Sequence, residues 1–246
     1  MKARLHLIGT GTGNPDHLTL QAVQHLSRAD LVLIPRKGPD KADLADLRRL
    51  ICTAHLPDAT RIAEFDMPVR DPSLPYLEAV ERWHDEIAVI WAQTIAARLP
   101  DGGEVALLVW GDPSLYDSTL RIARRLGLEV AVVPGITSLQ VLTAAHAIPL
   151  NALGAPVVIT TGRRLREGGW PMDASRVAVM LDAGSAFEML NPEGIHIWWG
   201  AYLGLPQQAL IAGPLAETGP RITKTRAELR ARHGWIMDIY LLAKGD

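Results

Sequence analysis

The chain has 246 residues, 48% hydrophobic and 21% charged, enough for two domains of ordinary size with buried cores. Its formal net charge of −2 offers no global basic field for nucleic acid or an anionic membrane. A single cysteine, Cys52, excludes an intramolecular disulfide framework; with no signal-peptide pattern and no apolar run near the ~18 residues of a membrane span, a cytoplasmic location is expected.

In chain order, residues 4–9 read as a strand, and residues 18–29 as a helix with Leu18, Ala22, Leu26 and Ala29 on one face. Residues 31–34 (LVLI) read as a buried parallel-type strand stopped by Pro35, and residues 40–56 as a helix. Residues 57–75 carry Pro57, Asp58, Asp66, Pro68, Asp71 and Pro72 in quick succession and read as an extended connection. A long helix over 74–99 ends at Asp101-Gly102-Gly103, and the apolar strand 104–110 is cut off by Gly111-Asp112-Pro113. This strand–helix alternation predicts an α/β domain with a mostly parallel sheet.

The second half is richer in strands, at 130–133, 157–161, 176–181, 196–199 and 208–212. A last strand, 234–242, has a partly alternating pattern that suits an edge hairpin. Helices are expected at 138–147, 183–190 and 226–231. The shift in composition near 113–118 predicts two domains, 1–115 and 116–246, the second with a mixed sheet.

The glycine-rich stretch GTGTGNPDHLTL, from Gly9 to Leu20, follows the first strand. A dinucleotide fingerprint would read G-x-G-x-x-G, with an acid at the end of the second strand. Here the third glycine comes one residue early and the second strand ends Ile34-Pro35-Arg36, without a carboxylate for a ribose. Two further strand ends carry comparable turns, Trp110-Gly111-Asp112-Pro113-Ser114-Leu115-Tyr116 and Pro134-Gly135-Ile136-Thr137-Ser138. Open α/β sheets bind ligands at the carboxyl ends of their strands, so three such loops point to one site.

Together GTGTGNPDHLTLQA, WGDPSLY and PGITSLQVLTAAHAIPLNA resemble the three signatures of the S-adenosylmethionine-dependent tetrapyrrole (corrin/porphyrin) methylases, a resemblance that covers essentially the whole chain. The family's first loop usually has proline and aspartate where this chain has Thr12 and Asn14. The stretches Ile34–Gly38, Trp198–Gly204 and Asp117-Ser118-Thr119 also depart from commoner members. They resemble the branch that methylates a precorrin ring carbon while releasing acetate; another precorrin methylase or a uroporphyrinogen methylase is the alternative.

The resemblance implies a two-domain fold with S-adenosylmethionine in the cleft between the domains, and a homodimer. Gly11, Thr12, Trp110, Gly111, Asp112, Leu115, Thr137 and Ser138 would contact the cofactor, with Leu181 and Leu203 walling the adenine. A polycarboxylate acceptor needs local cations on a net-negative protein; Arg36 and Lys37 at a strand end are the expected carboxylate clamps, beside Tyr116. Acetate release needs a general base to activate water, for which Asp16 or Asp117 is expected. No His/Cys/Asp spacing suggests a metal. The rival classes are a nicotinamide-dependent oxidoreductase and a relative that methylates RNA or a protein side chain.

Overall fold

A computed structural model describes residues 3–36, 42–56, 58, 61–234 and 236–245. The chain divides into two compact units, Met1–Thr137 and Ser138–Asp246. The sequence put the boundary near 115. It lies later because the strand at 129–133 completes the first sheet rather than opening the second.

In the first unit, β1 (Ala3–Gly9), α1 (Leu20–Arg28), β2 (Leu31–Arg36), α2 (Ala42–His55), β3 (Ile62–Asp66), α3 (Tyr76–Arg98), β4 (Gly103–Val109), α4 (Thr119–Ala123) and β5 (Glu129–Val133) follow one another. Every pairing in the sheet is parallel, in the order β3-β2-β4-β1-β5. Alternation along β1 divides the core between its faces. Ile8 packs with Ala22 and Leu26 of α1 and Ile51 of α2, whereas Leu5 and Leu7 pack with Ile87, Trp91 and Ile95 of α3. Each fully buried leucine contributes about 1.5–3 kcal/mol of transfer free energy.

Two expectations change here. β3 lies inside the stretch read as a connection; only five residues long, on the sheet edge, it buries just Ala63 and Phe65, with Glu64 and Asp66 exposed, and leaves little signal among its turn residues. Nor does Pro35 stop β2, which continues to Arg36 beside Asp66 of β3. Pairing with β4 ends at Leu33, so Pro35 has a strand on one side only, where proline is tolerated.

The connections set up a ligand position. From β1 the chain crosses by α1 to β2, beyond β4; from β4 it crosses by α4 to β5, beyond β1. α1 and α4 pack on opposite faces, so the carboxyl ends of β1 and β4 are where the connections diverge.

The second unit contains α5 (Ser138–His146), β6 (Val157–Thr161), α6 (Gly162–Gly168), β7 (Arg176–Met180), β8 (Ile195–Ala201), β9 (Ala209–Pro214), α7 (Leu215–His233) and β10 (Asp238–Lys244). Its sheet runs β6-β7-β10-β8-β9; the β6–β7 pair is parallel and the rest antiparallel. β10 is therefore the central strand and not an edge, buried from Ile239 to Ala243. α7 is far longer than the expected 226–231, running through Pro220. Among the described residues no helix is long and apolar enough to cross a membrane.

Candidate functional site

Three turns meet at the carboxyl ends of β4, β1 and β5. Gly11 and Gly111 form an isolated antiparallel bridge; Gly111 N–H donates to Gly11 O at 2.7 Å and Gly11 N–H to Gly111 O at 3.3 Å. Thr10 ties the base of the same turn to β4, its N–H donating to Val109 O at 2.8 Å and its hydroxyl at 3.0 Å. The third turn closes against both: a Cβ on Gly135 would lie 2.0 Å from Gly111 O and 2.8 Å from Gly9 Cα. Glycine at 9 and 135 is a packing requirement, because backbone meets backbone there.

Gly111 is different. At φ +64° a Cβ would meet nothing nearer than Thr137 Cα at 3.9 Å, so the space over this backbone is open. Gly13, at φ +101°, turns against the Trp110 ring, whose Cζ3 would be 2.8 Å from a Cβ. The result is a cradle of main chain, buried at Gly11 and Gly13 and half-buried with open space above it at Gly111, suited to a ligand recognised through the backbone.

Side chains brace the cradle. Asp112 Oδ2 accepts the Gly135 N–H at 2.9 Å, while Oδ1 accepts the Ser114 N–H at 2.8 Å and the Ser114 hydroxyl. Partial burial pushes the Asp112 carboxyl up, but these hydrogen bonds outweigh it and hold the group below the usual carboxylate range. Thr12 Oγ1 lies 3.0 Å from His17 Nδ1, and His17 also backs Gly11. Asn14 caps the 3-10 turn Pro15–His17 and Thr19 caps α1, accepting the Ala22 N–H at 3.0 Å.

Arg48 of α2, only 6% exposed, was not singled out in the sequence. Its Nε donates to Leu108 O at 3.2 Å and its Cζ lies 5.1 Å from the Trp110 ring centroid. Burial pulls its pKa down to about 10, opposed by Asp117 and Cys52, so it stays charged at neutral pH. An arginine inside the pattern Leu47-Arg48-Arg49-Leu50 carries no sequence signal that separates it from a solvated neighbour.

The remaining expected residues fall in several places. Leu115 is half-buried in the turn after β4; Tyr116, next to it, is 45% exposed at φ +50°. Asp117 accepts the Thr119 N–H at 2.6 Å, capping the start of α4. Asp16 is exposed in the 3-10 turn. Arg36, at the end of β2, donates to Asp66 at 2.8 Å and has Glu64 at 3.9 Å, so its charge is already engaged. Lys37 lies outside the described residues. Thr137 and Ser138, both half-buried, stand in the turn after β5 and at the start of α5.

Leu181 and Leu203 belong to the second unit. Leu181 follows β7 at φ +52° and is 66% exposed. The next residue, buried Asp182, accepts from Tyr240 OH (2.7 Å), Ala186 N–H (2.6 Å) and Arg166 (2.7 Å). Burial pushes Asp182 up, yet these donors win and hold it below the usual range. Leu203 is 5% exposed, packed where a Cβ on Gly200 would meet its Cδ2 at 2.6 Å, and is an interior residue of its unit.

The family model of the Tetrapyrrole (Corrin/Porphyrin) Methylases matches residues 4–219. The chain belongs to this family. Among relatives of this methylase is the precorrin-6A synthase [deacetylating] of Sinorhizobium sp, 48% identical over 98% of this chain and 95% of the relative. The cobalt-precorrin-2 C(20)-methyltransferase of Salmonella typhimurium is 27% identical over 61% of this chain and 60% of its own. Among crystal structures, a cobalamin synthesis related protein (CobF) from Corynebacterium diphtheriae superposes with a TM-score of 0.86 at 43% identity, over 99% of this chain and all of that one. A uroporphyrin-III C-methyl transferase from Thermus thermophilus complexed with S-adenyl homocysteine shares the fold, with a TM-score of 0.60 and 20% identity over 98% and 92% of the two chains. Family membership sets aside the nicotinamide oxidoreductase, in keeping with a β2 that ends in an arginine paired to Asp66.

Proposed function

We propose that the chain is an S-adenosylmethionine-dependent methyltransferase of cobalamin biosynthesis, methylating ring carbon 1 of precorrin-5 with release of acetate to give precorrin-6A. The observation that carries this reading is the 48% identity to a deacetylating precorrin-6A synthase, spread over 98% of the chain. The family as a whole includes several precorrin and uroporphyrinogen methylases, which remain the alternative acceptor readings.

The glycine cradle fits the methyl donor. The N–H groups of Gly11 and Gly111 are spent on each other. What this turn offers a ligand is therefore the open space above Gly111 and the remaining lone pairs of the two carbonyls, while Asp112, the acid of that turn, is engaged by Gly135 and Ser114. When bound, S-adenosylmethionine supplies an electrophilic methyl group and loses its positive charge as that group leaves. A carboxylate aimed at the ligand would stabilise the starting state more than the transition state; neutral backbone dipoles avoid that loss. Thr12, Trp110, Leu115, Thr137 and Ser138 complete the proposed contacts.

For the acceptor, the proposed clamps are Arg36 and Lys37, beside Tyr116. The Arg36–Asp66 pair is exposed, so a bidentate acceptor carboxylate can compete for the guanidinium at small cost. Holding acceptor carbon and methyl group in line is then the chain's main contribution to rate. For acetate release a carboxylate orients water, and Asp16 is the better placed of the two candidates because Asp117 is occupied as a cap. The reading carries with it a cytoplasmic homodimer, checked by fractionation and sedimentation.

The test is to supply purified protein and S-adenosylmethionine with precorrin-5 and measure S-adenosylhomocysteine, acetate and methylated product. One acetate per methyl transferred is expected. Methylation of precorrin-2 or uroporphyrinogen III without acetate would replace the acceptor assignment.

A further inference from the structure

Arg48 is an ion where packing alone would favour an apolar side chain. A methionine or leucine would fill this part of α2 without the cost of removing a guanidinium from water. The side chain instead reaches the end of β4 and holds it at two points, the Leu108 carbonyl and the Trp110 ring. A guanidinium can donate through Nε while its delocalised charge lies over the ring; an ammonium is a point charge that cannot hold both contacts with the same geometry.

The held ring in turn supports the glycine loop. Gly13 at φ +101° turns directly on Trp110, with Leu47, the neighbour of Arg48, at the same place. One turn of α2 therefore underlies both the WGDP turn and the GTGTG turn. The indole Nε1 is buried without a hydrogen-bond partner among the described residues, so no hydrogen bond at that atom fixes the ring rotation.

We propose that Arg48 is a positioning residue for the methyl-donor site, acting through the Trp110 ring to fix the conformation of the glycine loop around Gly13. The inference rests on the assignment of that loop to S-adenosylmethionine. It is distinct from a contact to the ligand, since Arg48 works from beneath the loop.

The experiment measures S-adenosylhomocysteine binding by calorimetry for wild type, Arg48→Met, Arg48→Lys, Trp110→Phe and the double variant R48M/W110F, at a temperature where circular dichroism shows all are folded. Arg48→Met is expected to weaken binding roughly tenfold and Arg48→Lys by somewhat less, because charge without the Nε hydrogen bond to Leu108 restores only part of the constraint. If Arg48 acts through the indole, the double variant binds within about twofold of the weaker single variant. Should Arg48→Met not fold, Arg48→Lys carries the same test against Trp110→Phe. Binding within twofold of wild type in the folded Arg48 variants overturns the proposal, as does full multiplication of the two single effects, which marks a merely structural role. Wild-type protein that fails to bind S-adenosylhomocysteine overturns the donor assignment itself, and this inference with it.

Discussion

The Asp112 carboxylate accepts the Gly135 backbone N–H at 2.9 Å, joining the turn after β4 to the turn after β5 across the end of β1. This carboxylate is held below its ordinary pKa, so its contribution to stability is present above about pH 4, the unfolded value, and is lost as pH falls through the lower folded value. The difference in thermal midpoint between wild type and Asp112→Ala should be constant near neutrality and shrink below about pH 4. A difference that does not change with pH would mean that the Asp112 charge takes no part.

Two glycines in the same cradle should respond in opposite ways. Gly111→Arg projects into open space, so the fold should survive with only the modest strain of a positive φ, while S-adenosylhomocysteine binding is abolished. Gly135→Ala drives a methyl group into the Gly111 carbonyl and should cost stability first, several degrees in thermal midpoint. Full ligand affinity in a folded Gly111→Arg protein would remove the cradle from the donor site.

Arg36→Ala should raise the Michaelis constant for the tetrapyrrole several-fold and leave cofactor affinity within about twofold, as expected for a lost charge-assisted contact. Asp66→Asn, which releases Arg36 from its partner, should lower that constant or leave it unchanged. If neither variant moves it, Arg36 serves only the β2–β3 edge.

Asp16→Asn should slow acetate release by roughly 10²–10⁴-fold, the range for a general base, without weakening S-adenosylhomocysteine binding. Asp117→Asn keeps an acceptor for the Thr119 N–H and should remain folded and active. Acetate and methylated product are assayed separately. Wild-type acetate release by both variants would exclude either aspartate as the base.

Cys52 is fully buried and its thiol is pushed up to about 12 by burial, against the pull of Arg48. It should resist iodoacetamide at pH 8 until the protein unfolds, because the thiolate is the reactive form. Labelling of native protein within minutes would contradict this burial.

Much of the first unit was legible because its strands are continuous apolar runs followed by glycine turns, a pattern that parallel burial imposes on the sequence itself. β3 was not: Ile62 to Asp66 is a short edge strand among prolines and aspartates, and its existence depends on the neighbouring Leu33 and Ile34 of β2. The centrality of β10 was equally hidden, since strand order is decided by which partners arrive on either side, here β7 and β8. Of the site, the glycines and Asp112 were visible as turn chemistry. Arg48 was not, because an arginine's burial is decided by what lies opposite it, and Trp110 is 62 positions away in sequence.

The sheet order also dictates a timetable. Thr10 bonds Val109 across 99 positions of chain, and β5 is not complete until Val133. At a synthesis rate of roughly 5–20 residues per second, β1 waits about 5–20 s on the ribosome before β4 exists to pair with it. β2 and β3 can meet sooner, with Val32 opposite Ile62, but β4 must then enter between β2 and β1. Until it does, Leu5, Leu7 and Ile8 have no sheet neighbour, and the nascent chain carries an unpaired apolar strand that chaperones would be expected to hold. The methyl donor can assist none of these early steps, because the turns that would bind it are brought together only after β5 has been made.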